Sequence, residues 1–243
     1  MMQLNGVLFL AAYTSRSQTY AQAMAAKGLR PAGALLFGDA AAQHPQELGF
    51  PLPGGIPANI FLPNLKFPLR TTCDQAGWPV TAVESANIND IKVHDAVRDL
   101  KPRLIIYSGY GGQIIKKDLL DLGTPFLHFH AGWLPDERGS TTIYYSLLMN
   151  GDCSVTALLL DKQIDTGAIL ARRRYSRPPP RLNVDHYYDS AIRADLLVDI
   201  LIGLHKEGRL PVPIPQEPRQ GTTYYVIHPV LKHITLLSLE EDS

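Results

Sequence analysis

Between residues 6 and 13 the chain is apolar almost without interruption, then polar at Thr14, Ser15, Arg16 and Ser17, then helix-like from 18 to 27. A continuous apolar run closed by polar residues predicts a strand buried on both faces, followed here by a turn and a helix. The same pattern predicts strands over 32–37, 79–83, 103–108 and 125–130. Helices are expected over 89–100, where Ile91, Val93, Val97 and Leu100 fall near helical spacing, and over 114–122. A further helix over 141–149 is stopped by Asn150-Gly151. Residues 40–72 lose periodicity and carry prolines at 45, 51, 53, 57, 63 and 68, which predicts a functional excursion or an insertion.

The second half reads differently. Two strands, over 154–160 and 168–174, surround the loop DKQIDTG, and a long helix is expected over 185–207 with aliphatic residues at 192, 196, 197, 200, 201 and 204. Strands alternating with helices predict an α/β fold: a Rossmann-like, mostly parallel sheet with helices on both faces. Strands joined by a short loop add an antiparallel extension. In such sheets ligands gather at the carboxyl ends of the strands, near the point where strand order reverses. The tail, 216–237, reads as one or two short strands.

Composition narrows the function classes. Lys plus Arg equals Asp plus Glu at 23 each in 243 residues, so no net field argues for a nucleic acid or an anionic membrane as partner. Arg172, Arg173 and Arg174 read as a solvated strand edge. No apolar stretch is long enough to span a bilayer, and the first apolar run lacks the basic flank of a signal peptide. Only Cys73 and Cys153 occur, without metal or redox spacing, which fits a cytoplasmic location.

Candidate chemistry concentrates in HFHAGWLPDERG, residues 128–139. Side chains two apart on a strand share a face, so His128 and His130 are expected to project together at a strand's carboxyl end. The DKQIDTG loop supplies Asp161 and Asp165, and a carboxylate beside an imidazole fixes its tautomer. Residue types alone leave three readings open. Imidazole and carboxylate suit acyl transfer through an oxyanion; two histidines and a carboxylate suit a metal triad; a satisfied structural network uses the same groups.

Over a longer window, FLHFHAGWLPDERGSTTIYYSLLMNGDCSVTALLLDKQIDTGAIL (126–170) resembles the folate-dependent formyltransferase family. Members carry an Asn-x-His-x-Ser-x-Leu-Pro turn, an Arg-Gly, an Asn-Gly-Asp helix end and an Asp-Thr-Gly on a folate loop. His130, Leu134, Pro135, Arg138, Gly139, Gly151 and Asp165-Thr166-Gly167 match, and YSGYGGQIIKKDLL (107–120) resembles the border of the folate pocket. The resemblance covers most of residues 5–205. It implies a catalytic domain over 1–207 and a short C-terminal extension over 208–243 packed on it. It also implies an enzyme that moves a formyl group from 10-formyltetrahydrofolate to a primary amine, with no metal. His130 would be the oxyanion donor and proton carrier, oriented by Asp165. Gly112, Gln113, Ile114, Ile115, Asp161 and Ile164 would hold the folate, with Ile114 and Ile115 packing as a pair on its ring.

His128 departs from the pattern, standing where the family keeps its catalytic asparagine. It substitutes for that asparagine, marks a changed reaction such as hydrolysis, or signals lost catalysis or a metal site. Trp133 replaces a typically aliphatic residue and is expected to shape the pocket or to anchor packing. Members that act on tRNA append a separate C-terminal domain, and little chain follows 207 here, so a small-molecule amine is the expected acceptor: a nucleotide-linked amino-sugar or a modified amino acid. Thr14, Ser15 and Arg16, at a helix N-terminus, would bind an anionic part of that acceptor or simply cap the helix. Arg138 completes the expected substrate contacts, and the resemblance leaves a homodimer open.

Overall fold

The computed structural model describes residues 1–42, 55–58, 60–217 and 220–240. Seven strands form one sheet in the order β3-β2-β1-β4-β5-β7-β8. They are β1 (Met2–Ala12), β2 (Leu29–Phe37), β3 (Val80–Val83), β4 (Leu104–Ser108), β5 (Phe126–His130), β7 (Cys153–Leu159) and β8 (Ile169–Tyr175). The first five pair in parallel; β7 and β8 run antiparallel, as the short DKQIDTG connection requires. Between β5 and β7 in the chain, β6 (Glu137–Gly139) leaves the sheet and pairs with β9 (Thr222–Tyr224) instead.

Helices cover both faces, as strands buried on each side demand. Phe9 of β1 and Phe129 of β5 lie in one core with Tyr20 and Met24 of α1 (Ser15–Ala26) and Leu197 and Leu201 of α6 (Asp189–Glu207). Leu10, Tyr107 and Phe126 point the other way, onto Val93 and Val97 of α3 (Ile91–Leu100) and Leu119 of α4 (Lys117–Leu120). Strand order reverses between β1 and β4. The carboxyl ends of β1, β4 and β5 therefore border one crevice, the position where such sheets bind ligands.

Several elements differ from the sequence expectation. The helix predicted over 114–122 shrinks to α4, because the Asn89 side chain holds Ile114 and Lys116 by donating to the Ile114 carbonyl (2.9 Å) and accepting from the Lys116 amide (2.7 Å). The long helix begins later than 185: Val184–Tyr188 form a π-type turn capped by Asn183. The tail is not all strand. After β9 it forms α7 (Pro229–Ser238), with Pro229 at its start, where proline's fixed φ suits a helix. Residues 43–54 and 59 of the proline-rich excursion lie outside the described residues. The later part of the excursion closes onto α1: buried Gln18 donates to the carbonyls of Leu65 (3.2 Å) and Phe67 (3.0 Å), ahead of α2 (Leu69–Gln75). Among the described residues no helix is long and apolar enough to cross a membrane.

Candidate active site

β5 ends at His130, and the chain turns sharply before β6. Thr156 of β7 holds this turn from below, donating to Gly132 O (2.6 Å) and accepting from Leu134 N (3.1 Å). Thr142 donates to the Ala131 carbonyl. Gly132 is required by close approach: a Cβ there would sit 2.6 Å from His130 Nε2 and 2.8 Å from Glu137 O. The remaining anchor is Glu137, buried behind the turn. Its carboxylate accepts from Trp133 N (2.9 Å), Asn150 Nδ2 (3.0 Å), Ser146 Oγ and Ser154 Oγ (3.5 Å), binding the turn to α5 (Thr142–Asn150) and β7. Nothing in the local sequence distinguishes this glutamate from a solvated one.

His130 and Asp165 are brought together. His130 Nδ1 lies 3.4 Å from Asp165 Oδ2, and the two residues are 4% and 7% exposed. Asp165 Oδ2 also accepts from Gly139 N at 2.8 Å. His130 Nε2 contacts the Glu137 carbonyl at 2.6 Å, with Thr142 Oγ1 at 3.4 Å. A nitrogen bonded to a carbonyl carries its proton, which leaves Nδ1 as the site where this ring exchanges a proton, facing the carboxylate.

His128 shares that face of β5 and differs in every respect. Its Nδ1 is enclosed and has no hydrogen-bond partner among the described residues, and its ring lies beside Tyr107 with centroids 6.0 Å apart. Burial, then the charges of Arg16, Arg193 and His130, hold its pKa well below the usual histidine value; the Tyr107 backbone opposes this weakly. His128 is therefore a neutral imidazole at pH 7. The sign of the consequence is definite. An unfolded His128 takes up a proton near pH 6.5 while the native one does not, so its contribution to stability is complete above that pH and declines as pH falls. His128→Asn should flatten the loss of stability between pH 7 and 5 by up to about 1.4 kcal/mol per pH unit. Thermal unfolding of both proteins across that range measures it, and parallel curves would mean His128 is not held neutral.

The two guanidinium charges acting on His128 come from two helices. Arg16 reaches over the ends of the strands to donate to Gly109 O (2.5 Å) and Ser108 Oγ (3.4 Å), and among the described residues it has no carboxylate in ion-pair contact. Burial and then Arg193 lower its pKa. Arg193, which the sequence expectations did not include, donates to Phe129 O (2.5 Å) and is paired with Asp189 one helical turn earlier (2.9 Å). That i,i+4 pair is the signal that could have found it. Thr14 is the N-cap of α1, accepting from Ser17 N at 3.1 Å, and Ser15 Oγ meets His186 Nδ1 at 3.3 Å.

The expected folate residues scatter more widely. Ile115 is in the core, so Ile114 and Ile115 do not form a pair; the partners exposed to a ring would be Ile114 and Ile164, at 55% and 47%. The Gln113 side chain is committed, accepting from Ile88 N (3.1 Å) and donating to Ala86 O (2.6 Å). Gly112 occupies an exposed positive-φ turn, and Asp161 is exposed with Oδ1 capping Lys162 N. Arg172 and Arg174 stack on the Trp133 ring at 4.7 and 4.6 Å, a packing contact, and so are not simply a solvated edge. Arg138 is buried and turned towards the tail, donating to Gln216 Oε1 (3.2 Å) and Glu217 O (3.3 Å). Among the described residues no group of three His, Cys, Asp or Glu side chains is placed to hold a metal ion.

No family model matches the chain. In sequence it is similar to methionyl-tRNA formyltransferases: that of Finegoldia magna is 41% identical over 95 residues, 38% of this chain and 30% of that protein. That of Geotalea daltonii is 31% identical over 140 residues, 55% of this chain and 43% of that protein. The matched segments thus span between about a third and a half of these relatives. In fold it is similar to a sugar N-formyltransferase from Shewanella sp. FDAARGOS_354, with a TM-score of 0.55, 16% identity, and 98% of this chain and 88% of that one covered. HypX from Aquifex aeolicus, solved with tetrahydrofolic acid, gives 0.55 at 15% identity over 98% of this chain and 34% of its own. Over these segments the chain is similar in sequence to formyltransferases, and it shares the fold of formyltransferases and of HypX.

Proposed function

We propose that this protein transfers a formyl group from 10-formyltetrahydrofolate to the primary amine of a small molecule, a nucleotide-linked amino-sugar or a modified amino acid. The observation that carries the proposal is the buried His130–Asp165 pair at the carboxyl end of β5, beside a neutral His128 with an unpartnered Nδ1. Exposed Ile114 and Ile164 supply apolar surface for a flat ring, and the main chain of 161–165 supplies polar groups for its amide-like edge.

In the reaction the amine nitrogen attacks the formyl carbon, the carbonyl becomes an oxyanion, and the carbon–nitrogen bond to the folate breaks. One proton leaves the amine and one reaches the departing nitrogen. The acceptor of the first is the His130–Asp165 pair, the group on this face able to hold an added proton beside a carboxylate. With Nε2 of His130 bonded to Glu137 O, the open donor for the oxyanion is neutral His128, which replaces an amide N–H by an imidazole N–H without adding charge. Arg16, without a carboxylate partner among the described residues, and Ser15 suit a carboxylate or phosphate carried by the acceptor.

Purified protein given 10-formyltetrahydrofolate and a panel of amino-sugar nucleotides, modified amino acids and methionyl-tRNA tests this. Tetrahydrofolate should appear only when a small amine is present. Release without any acceptor would make the protein a hydrolase, and release with methionyl-tRNA alone would replace the small acceptor. Tight folate binding with no turnover would leave a silent binding protein.

A further inference from the structure

After α6 the chain returns across the site instead of ending at the sheet. Ile214 exchanges two backbone hydrogen bonds with Ile169, both 2.8 Å. Beyond it β9 lies parallel to β6, with Thr222 N donating to Asp136 O and Ser140 N to Tyr224 O, each 2.9 Å. Between these two attachments sits Gln216, and its carboxamide turns inward. Nε2 donates to Asp165 O (2.9 Å) and Gly167 O (2.6 Å), while Oε1 accepts from Arg138 (3.2 Å).

We infer that Gln216 is a positioning residue for the Asp165–His130 pair, joining the loop that carries Asp165 to the turn after His130; the inference rests on the catalytic role proposed for that pair. Asp165 holds φ at +54°, in the left-handed region that side chains with a Cβ seldom adopt and aspartate adopts more readily than most. Gln216 bonds the carbonyl of that residue from one side. From the other, Gly139 N bonds its carboxylate, and Gly139 follows Arg138, which Gln216 also binds. One side chain therefore closes a ring, through Asp165 O, Asp165 Oδ2, Gly139 and Arg138, that fixes where the carboxylate meets His130.

The chemistry of the ring selects glutamine. Two carbonyls need donors and one guanidinium needs an acceptor, and a carboxamide offers both. A glutamate would serve Arg138 but present an anion to the two carbonyls, and alanine would serve none. Among the described residues Arg138 Nε has no partner and its guanidinium bonds only the tail, at Gln216 and Glu217. No motif in the chain marks Gln216, which the fold brings to Asp165 from 51 residues away.

The test uses the full chain with Gln216→Glu, which preserves size. The Gly139 amide bonded to Asp165 should exchange its hydrogen roughly tenfold faster or more, since a loosened bond opens locally, while core amides such as Leu10 stay as protected as in the wild type. With the responsive acceptor, kcat should fall about tenfold with KM for the folate within twofold; a purely structural role would instead lower protection throughout. Unchanged Gly139 exchange would overturn the inference whatever the activity. Faster Gly139 exchange in a protein that never transfers formyl would uphold the positioning and sink the functional reading instead. If Gln216→Glu does not fold, Gln216→Met, equal in length and without the polar atoms, is read by the same two measurements.

Discussion

Asp165→Asn should lower kcat for formyl transfer on the order of 10²-fold or more while the protein keeps its fold. The reason is charge rather than shape. The amide is isosteric, so its oxygen can still accept from Gly139 N, and the loop loses no volume. The contact with His130 changes character. Nε2 of that ring is bonded to the Glu137 carbonyl, so an added proton must sit on Nδ1, 3.4 Å from Asp165 Oδ2. A carboxylate stabilises the resulting imidazolium in a site nearly closed to water; a neutral amide does not. The amine's proton then has no destination during attack. His130→Ala removes the ring itself and should cost a comparable factor, with the double variant little worse than either single one, because the two act as a unit. Steady-state rates with the responsive acceptor decide the matter. Activity near wild type in Asp165→Asn would remove the pair from the mechanism.

Glu137→Ala should destabilise the protein by about 3 kcal/mol, a loss of roughly 6–12 °C in Tm for a chain of this size. The carboxylate is buried and accepts from a backbone N–H, an asparagine amide and two serine hydroxyls. Exposed Asn150 can turn to water, whereas Trp133 N and the buried hydroxyls of Ser146 and Ser154 lose their acceptor, and unsatisfied buried donors carry most of the cost. Glu137→Gln keeps the volume but sets an amide N–H against a donor, so an intermediate loss is expected. Thermal unfolding at pH 7 measures both, and a change below about 1 kcal/mol in Glu137→Ala would show that the turn does not depend on this group. Because the Glu137 carbonyl also meets His130, activity should fall further than the stability loss alone explains.

The parts that were legible in the sequence are those whose information is local. Apolar runs at 6–13, 103–108 and 125–130 report burial on both faces, and that burial is what a parallel strand covered by helices requires. The spacing of His128 and His130 places both on one face because a strand alternates strictly. Distant groups were not legible. Glu137 and Gln216 look like any surface polar residue until the fold surrounds them. The tail carries the expected strand at β9, but its later part is helix, because apolar residues at 230, 231, 234 and 237 form a short amphipathic pattern in which helix and strand are hard to separate.

The sequence by itself determined the α/β architecture, the placing of His130 at a strand's carboxyl end, and the pairing of HFHAGWLPDERG with an Asp-Thr-Gly loop. Only the tertiary structure decided the state of His128. Whether its imidazole is neutral or cationic depends on burial and on the charges of Arg16 and Arg193, which two different helices bring to β5. Propensity and periodicity are properties of neighbours along the chain, whereas desolvation and charge act through space.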